Sequence, residues 1–308
     1  MRGLLERRLS AAARAPLCAL VASAFCACTP DFQSQSQVVD LRVLAVQAEP
    51  PEAQFDPDGG TVDPVKLTVL AVDGARPDAG ATLTARLCAA TDSGVCDEGP
   101  SIAADTLSRD GGDLFSTTLV LPQAVVAEAA DASDLRGFDG VRVQYSFSID
   151  DGDDAGPQTG EKVIVYSQKT DAGLLGHPNK NPVLAGAQFT EPDGGTQQIQ
   201  DGQPLAAPAE VALGLTPILP RDQVETYQTF DLRGNLITLP EFPAYSFYTT
   251  GNAEFDSDTA SEPVDGGAAP PQGLTRFTAH AGQGTLWIVV RDGRGGESWL
   301  TIPWSSTR

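Results

Sequence analysis

The stretch that decides the fold is "GTLWIVVRD", residues 284–292. In an extended chain successive side chains point to opposite faces, so Leu286, Ile288 and Val290 share one side while Trp287 and Val289 share the other. Both rows are apolar. A strand with one wet face alternates apolar with polar residues, whereas one apolar on both sides reads as covered on both.

Alternation with period two recurs on either side of this run. Upstream, "VVDLRVLAV" (38–46), "VKLTVLAV" (65–72), "ATLTARLC" (81–88), "LFSTTLVL" (114–121), "VRVQYSFSI" (141–149) and "EKVIVYSQ" (161–168) read as strands. Closer to it lie "VLAGAQFT", "AEVALGLTP", "VETYQTFD", "AYSFYTTG" and "GLTRFTAH", and "ESWLTIPW" follows. Clusters such as "DPDGG", "SRDGGD" and "DDGDDAGPQTG" separate the strands as turns. Only "PQAVVAEAADAS" (122–133) has a helical character, with Pro at its start and Ala and Glu in its body. "GLLGHPNKNP" (173–182) interrupts the strand pattern and reads as a linker with few contacts across it, dividing a first sandwich at 38–172 from a second at 183–308.

From "AYSFYTTGNAEF" to "TLWIVVRDGRGG", the chain resembles the immunoglobulin-like and polycystic-kidney-disease-type modules of bacterial envelope proteins. The residues that carry the likeness are Gly251, Gly282, Gly284, Val290, Asp292 and Gly295, across about 60 residues. The resemblance implies an immunoglobulin-like β-sandwich for the second half. For residues 38–172 the sandwich reading rests on alternation alone. The fold class expected is all-β, with two such domains.

The other end reads as an export signal. Arg2, Arg7, Arg8 and Arg14 precede an apolar core, Ala15–Ala27, of thirteen residues. That is shorter than the roughly 20 apolar residues a membrane span needs. The core ends in "FCAC", and here the chain resembles a bacterial lipoprotein precursor. The motif matches at Ala27 and Cys28 and is acceptable at Cys26, while Phe25 stands where the family usually has Leu. The resemblance implies removal of residues 1–27, a diacylglyceryl thioether on Cys28 and an acylated, palmitate-type amine. Several acyl chains, at about 0.8 kcal/mol per buried CH₂, hold a protein permanently. Thr29 in place of Asp implies sorting to the outer membrane. Residues 28–37 then read as a polar, disordered tether.

The full chain carries a net charge of −21. Removing residues 1–27 takes away four Arg and one Glu and leaves 281 residues with a net charge of −24. With no basic stripe, such a chain is repelled by nucleic-acid phosphates, and no nucleic-acid partner is expected. Cys88 and Cys96 remain, an even pair in an exported chain with Asp92-Ser93-Gly94 between them. They read as a structural disulfide closing a short loop, a contribution of about 2–3 kcal/mol.

Signals for catalysis are lacking. The sequence has two histidines, His177 in the linker and His280 at a strand end, and no nucleophile elbow, zinc-protease or phosphate-loop motif. No cofactor is expected. Asp150, Asp151, Asp153 and Asp154 form a calcium candidate, with Glu161 twelfth from Asp150. Gly152 and Ala155 nevertheless occupy the third and sixth places, where an EF-hand needs an oxygen ligand and Gly. Tyr245, Phe247, Tyr248, Trp287, Trp299 and Trp304 could form a sugar platform or pack in the core. The reading is a non-enzymatic lipoprotein, anchored through its lipid, that binds or scaffolds an envelope protein or glycan. The alternative is a calcium- or glycan-binding adhesion module.

Overall fold

A computed structural model of the chain describes residues 34–55, 62–89, 102–110, 112–122, 141–154, 156–168, 178–230, 233–261 and 273–307. Among them the fold is all-β, with a single 3₁₀ turn at Arg221–Gln223. The first half supplies β1 (Leu41–Glu49), β2 (Glu52–Phe55), β3 (Val65–Asp73), β4 (Gly80–Ala89), β5 (Ile102–Asp110), β6 (Leu114–Leu119), β7 (Val141–Asp150) and β8 (Gln158–Gln168). The second supplies β9 (Gly186–Thr190), β10 (Thr196–Ile199), β11 (Leu205–Ala206), β12 (Ala212–Ile218), β13 (Thr226–Phe230) and β14 (Leu236–Pro240). It continues with β15 (Ala244–Thr249), β16 (Ala253–Phe255), β17 (Thr259–Ser261), β18 (Thr275–Ala279), β19 (Gly282–Arg291) and β20 (Glu297–Ser306).

Sheets β1-β3-β6 and β2-β8-β7-β4-β5 enclose one core, which includes Leu67, Val69, Leu83, Tyr145, Phe147 and Ile164. Sheets β11-β20-β19-β15-β17 and β10-β9-β12-β18-β16 enclose a second, which includes Phe189, Leu215, Phe247, Phe277, Ile288 and Trp304. The burial follows alternation most plainly on β4 and β7, whose inward rows Ala81, Leu83, Ala85, Leu87 and Val141, Val143, Tyr145, Phe147, Ile149 are wholly apolar and join the first core.

The two central sheets also bury their outer faces against each other. On β3, Leu67, Val69 and Ala71 point into the first core, while Leu70 and Val72 point the other way. On β19, Leu286, Ile288 and Val290 enter the second core, while Trp287 and Val289 meet Leu70, Val72, Leu44 and Val38. A third core thus lies between the sandwiches, and the sheets stack four deep. Gln35–Arg308 form one compact unit.

Two expectations need correction. Residues 178–182, the end of the expected linker, are not sparsely packed: Asn179 is 2% exposed and Asn181 8%. The Asn181 amide bonds both halves, and Asn179 bonds the first through its N–H and the second through its amide, so neither buried amide bears the cost of about 1–3 kcal/mol for lacking partners. The tether does not extend to residue 37 either. Thr249 donates its N–H to Ser36, Val38 donates to Thr249, and Gln37 bridges β15 in parallel. Val38 is buried between the sandwiches, and Gly74 admits its carbonyl; a Cβ there would lie 2.1 Å from that oxygen. The expected helix lies outside the described residues apart from Pro122, as do residues 1–33 and 173–177. Among the described residues no helix is long and apolar enough to cross a membrane.

Candidate functional site

The densest polar constellation among the described residues rims the boundary between the two sandwiches. It starts from a weakness of β1, an edge strand of its sheet. Unpaired edges are prone to recruit other strands. The β1–β3 register shifts between Val43 and Ala45, so Leu44 is the extra residue of a bulge. Its carbonyl accepts from Arg291 Nη2 at 3.0 Å, and the Val46 N–H donates to Glu297 Oε2 at 3.2 Å. Arg291 and Glu297 are opposed on the β19–β20 hairpin and paired at 2.7 Å. Lys162, from β8, reaches Glu297 at 3.3 Å. One hairpin end therefore caps the open edge of the other sandwich.

The turn between β19 and β20 makes a second node. Asp292 Oδ1 accepts from the N–H groups of Arg294 (2.7 Å) and Gly296 (2.9 Å), and its Oδ2 accepts from Asn179 Nδ2 (2.9 Å). So anchored, the turn aims the Arg294 guanidinium at Glu52 (3.1 Å), Glu241 (3.2 Å) and Glu225 (3.8 Å). The same group lies 4.4 Å from the Tyr227 ring centroid. Glu52 also accepts from the Asn179 N–H, at 2.9 Å. Asn181 donates to the Ala48 carbonyl and to Glu49, and its own oxygen accepts from the Glu297 N–H. Ser298 donates to the Pro182 carbonyl.

Carboxylates outnumber cations at this node, and burial adds to the imbalance. Burial pushes the Glu241 carboxyl above the ordinary glutamate range and the charge of Asp292 adds to this, while the Glu225 N–H and Arg294 partly offset it. An acid with a raised folded pKa gives its full contribution below its unfolded pKa and loses it as pH rises through the folded value. Glu241→Gln cannot ionise, so it should match the parent in melting temperature near pH 4.5 and exceed it increasingly above. A variant that instead falls behind as pH rises would show that Arg294 keeps Glu241 ionised at no cost.

Of the calcium candidates, Asp151 and Asp153 meet at the Arg76 guanidinium. Asp150 Oδ1 accepts from the Gly152 N–H, and Asp153 Oδ1 from the Asp154 N–H. Asp151 is paired with Arg76, as are Asp73 and Asp153. Burial alone would raise the Asp151 carboxyl, but the Asp153 N–H and Arg76 outweigh it and hold it below the usual range. An arginine thus neutralises the center of this cluster. Arg76 stands three residues after Asp73 and Arg294 two residues after Asp292, so in each half an Asp-Gly turn carries an arginine that gathers carboxylates. An open depression of about 460 Å³ beside it is lined by Thr82, Ser108, Asp150 and Gly152. Among the described residues, no three His, Cys, Asp or Glu come together as a metal-binding group.

The aromatic candidates are interior. Tyr245, Phe247 and Trp304 belong to the second core, Trp287 to the core between sandwiches, and Tyr248 and Trp299 pack against the latter. Gly251 and Gly284 let backbone approach Trp304; a Cβ on either would lie 2.9 Å from its ring. The Trp304 indole N–H donates to Thr249. His280 pairs with Glu210 at the surface, 2.9 Å away. Cys88 is buried on β4. Cys28, Cys96 and His177 lie outside the described residues.

No family model matches the chain, and no curated protein matches it. Solved structures with some similarity include red sea bream transglutaminase (14% identity, TM-score 0.26), covering 88% of this chain and 32% of that one. Another is Escherichia coli alpha-2-macroglobulin activated by porcine elastase (12% identity, TM-score 0.26), covering 89% and 22%. A third is dimeric latent PorU from Porphyromonas gingivalis (10% identity, TM-score 0.23), covering 87% and 24%. The chain spans about a third or less of the length of each.

Proposed function

We propose that this chain is a bacterial envelope lipoprotein, held at the outer membrane by lipid on Cys28, that acts without catalysis as a rigid scaffold or binding component. The observation that supports this reading is the locked boundary. Two sandwiches joined by an apolar core and a rim of ion pairs can hold surfaces at a fixed separation. The division into modules at 38–172 and 183–308 is part of the same proposal. Lipid on Cys28 leaves six residues, 29–34, before Gln35, a span from Cys28 of at most about 25 Å when extended, so the folded body works close to the membrane.

Anchoring is tested by fractionating cells that express the full precursor. Cys28→Ala should move the protein from the membrane to the soluble fraction, whereas Cys26→Ala should leave it in place. A Cys28→Ala protein that stays in the membrane fraction would overturn the anchor, and with it the proposed location.

A further inference from the structure

Aspartate followed by glycine carries a latent reaction. The glycine nitrogen can attack the aspartate side-chain carbon, and glycine has no Cβ to hinder the approach. A five-membered succinimide closes as the N–H proton and the hydroxyl of the protonated carboxyl group leave together as water. Water then adds at the ring's main-chain carbonyl, and the chain reopens through the side-chain carbon as isoaspartate. The water lost is regained, and no other reactant is needed. The reaction requires a carboxyl group free to turn towards the nitrogen that follows it.

Five Asp-Gly pairs lie wholly within the described residues, at Asp73, Asp151, Asp193, Asp201 and Asp292. The fold ties down four. Asp73 is 3% exposed, accepts from the Ala75 and Arg76 N–H groups and pairs with the Arg76 guanidinium. Asp151 accepts from the Asp153 N–H and pairs with the same guanidinium. Asp292 is held by Asn179, Arg294 and Gly296. Asp201 is exposed, but both reacting groups are fixed to Thr301 on β20. Its carboxylate accepts the Thr301 N–H at 2.7 Å, and the Gly202 N–H donates to the Thr301 carbonyl at 2.8 Å.

Asp193 differs. It lies in the turn between β9 and β10, where every residue from Glu191 to Gln198 is exposed. Its carboxylate accepts from the Gly195 N–H at 3.0 Å, and the Gly194 N–H donates to the Glu191 carbonyl at 2.9 Å. Both bonds are internal to the turn. A Cβ on Gly194 would meet nothing within 4 Å, so the nitrogen has room around it for ring closure. β10 is a four-residue edge strand whose one buried residue is Ile199, and elements with so few buried contacts open locally at little cost.

We infer that Asp193 is a site of spontaneous isoaspartate formation, the one of these five that the folded chain leaves open to the reaction. The product keeps its carboxylate but lengthens the main chain by one carbon at the tip of the β9–β10 hairpin. β9 remains held by β12, so the change falls on the β10 side. The inference goes beyond the scaffold reading and does not depend on the anchor.

The test uses the full chain in mild detergent, aged for weeks at mildly acidic pH beside a sample aged in urea. Electron-transfer fragmentation of the peptides reads isoaspartate residue by residue. In the folded sample the yield at Asp193 should exceed that at each of the other four by at least about tenfold, the factor one hydrogen bond to a charged group carries. In urea the five should react at comparable rates. Asp193→Glu should lose the signal at this turn, because its longer side chain closes a larger and slower ring. A folded sample with no more isoaspartate at Asp193 than at the other four would overturn the inference. So would a urea sample in which Asp193 already outruns them tenfold, since the preference would then lie outside the fold.

Discussion

Replacing Trp287 with alanine is expected to destabilise the protein by about 3–5 kcal/mol, the usual cost of removing a buried large aromatic. Trp287 is 2% exposed, yet it lies in neither sandwich core; it fills the layer between Leu44, Leu70, Val72 and Val289. The loss should therefore fall on the coupling of the halves. Calorimetry should show one transition for the parent and two for Trp287→Ala, because each half keeps its own core. Trp287→Phe should cost far less, since the indole N–H finds no acceptor among the described residues and its removal leaves nothing unpaired. A parent that already melts in two separate steps would show that this layer does not couple them.

Arg294→Ala is expected to cost about 3–5 kcal/mol, the range for removing one partner from a buried ion pair. The arginine is largely covered, and its loss strands Glu52, Glu225 and Glu241 beside Asp292. Lysine should restore little, because a single ammonium cannot present the planar fork that serves two sides at once. The sign of the pH dependence separates this from a packing defect. Arg294 is one of the groups that hold the Glu241 carboxyl down, so without it that acid moves further up, and the deficit is full near neutrality and shrinks as pH falls and Glu241 becomes neutral. A deficit constant from pH 4 to pH 7 in chemical denaturation would assign the loss to packing.

Much of the architecture was legible because long strands print their environment as a pattern. The run Leu286–Val290 announces two covered faces, and both are covered. Strands β2, β5, β10, β11, β14, β16 and β17 escaped that reading. Most are five residues or fewer, and β5 mixes charge with apolar residues, so their pairing is set by neighbours more than by their own alternation. The polar rim was illegible for a different reason. Glu52, Asn179, Glu241 and Arg294 are remote in sequence and each resembles an ordinary solvated turn or linker residue. Only the folded chain makes them neighbours. One local hint existed: Arg291 and Glu297 stand symmetrically about the "DGRGG" turn, where a hairpin must bring opposite charges together.

The entry of the chain into the folded body has a mechanical consequence. Residues 36–38 bond to Thr249 of the second sandwich before the chain runs into β1 of the first, and Gln37 adds a side-chain bond to the Gly251 carbonyl. A pull applied ahead of Gln35 would therefore not peel the first sandwich strand by strand. The force arrives at the junction, where it divides between the two bodies and is met first by hydrogen bonds and the buried Val38.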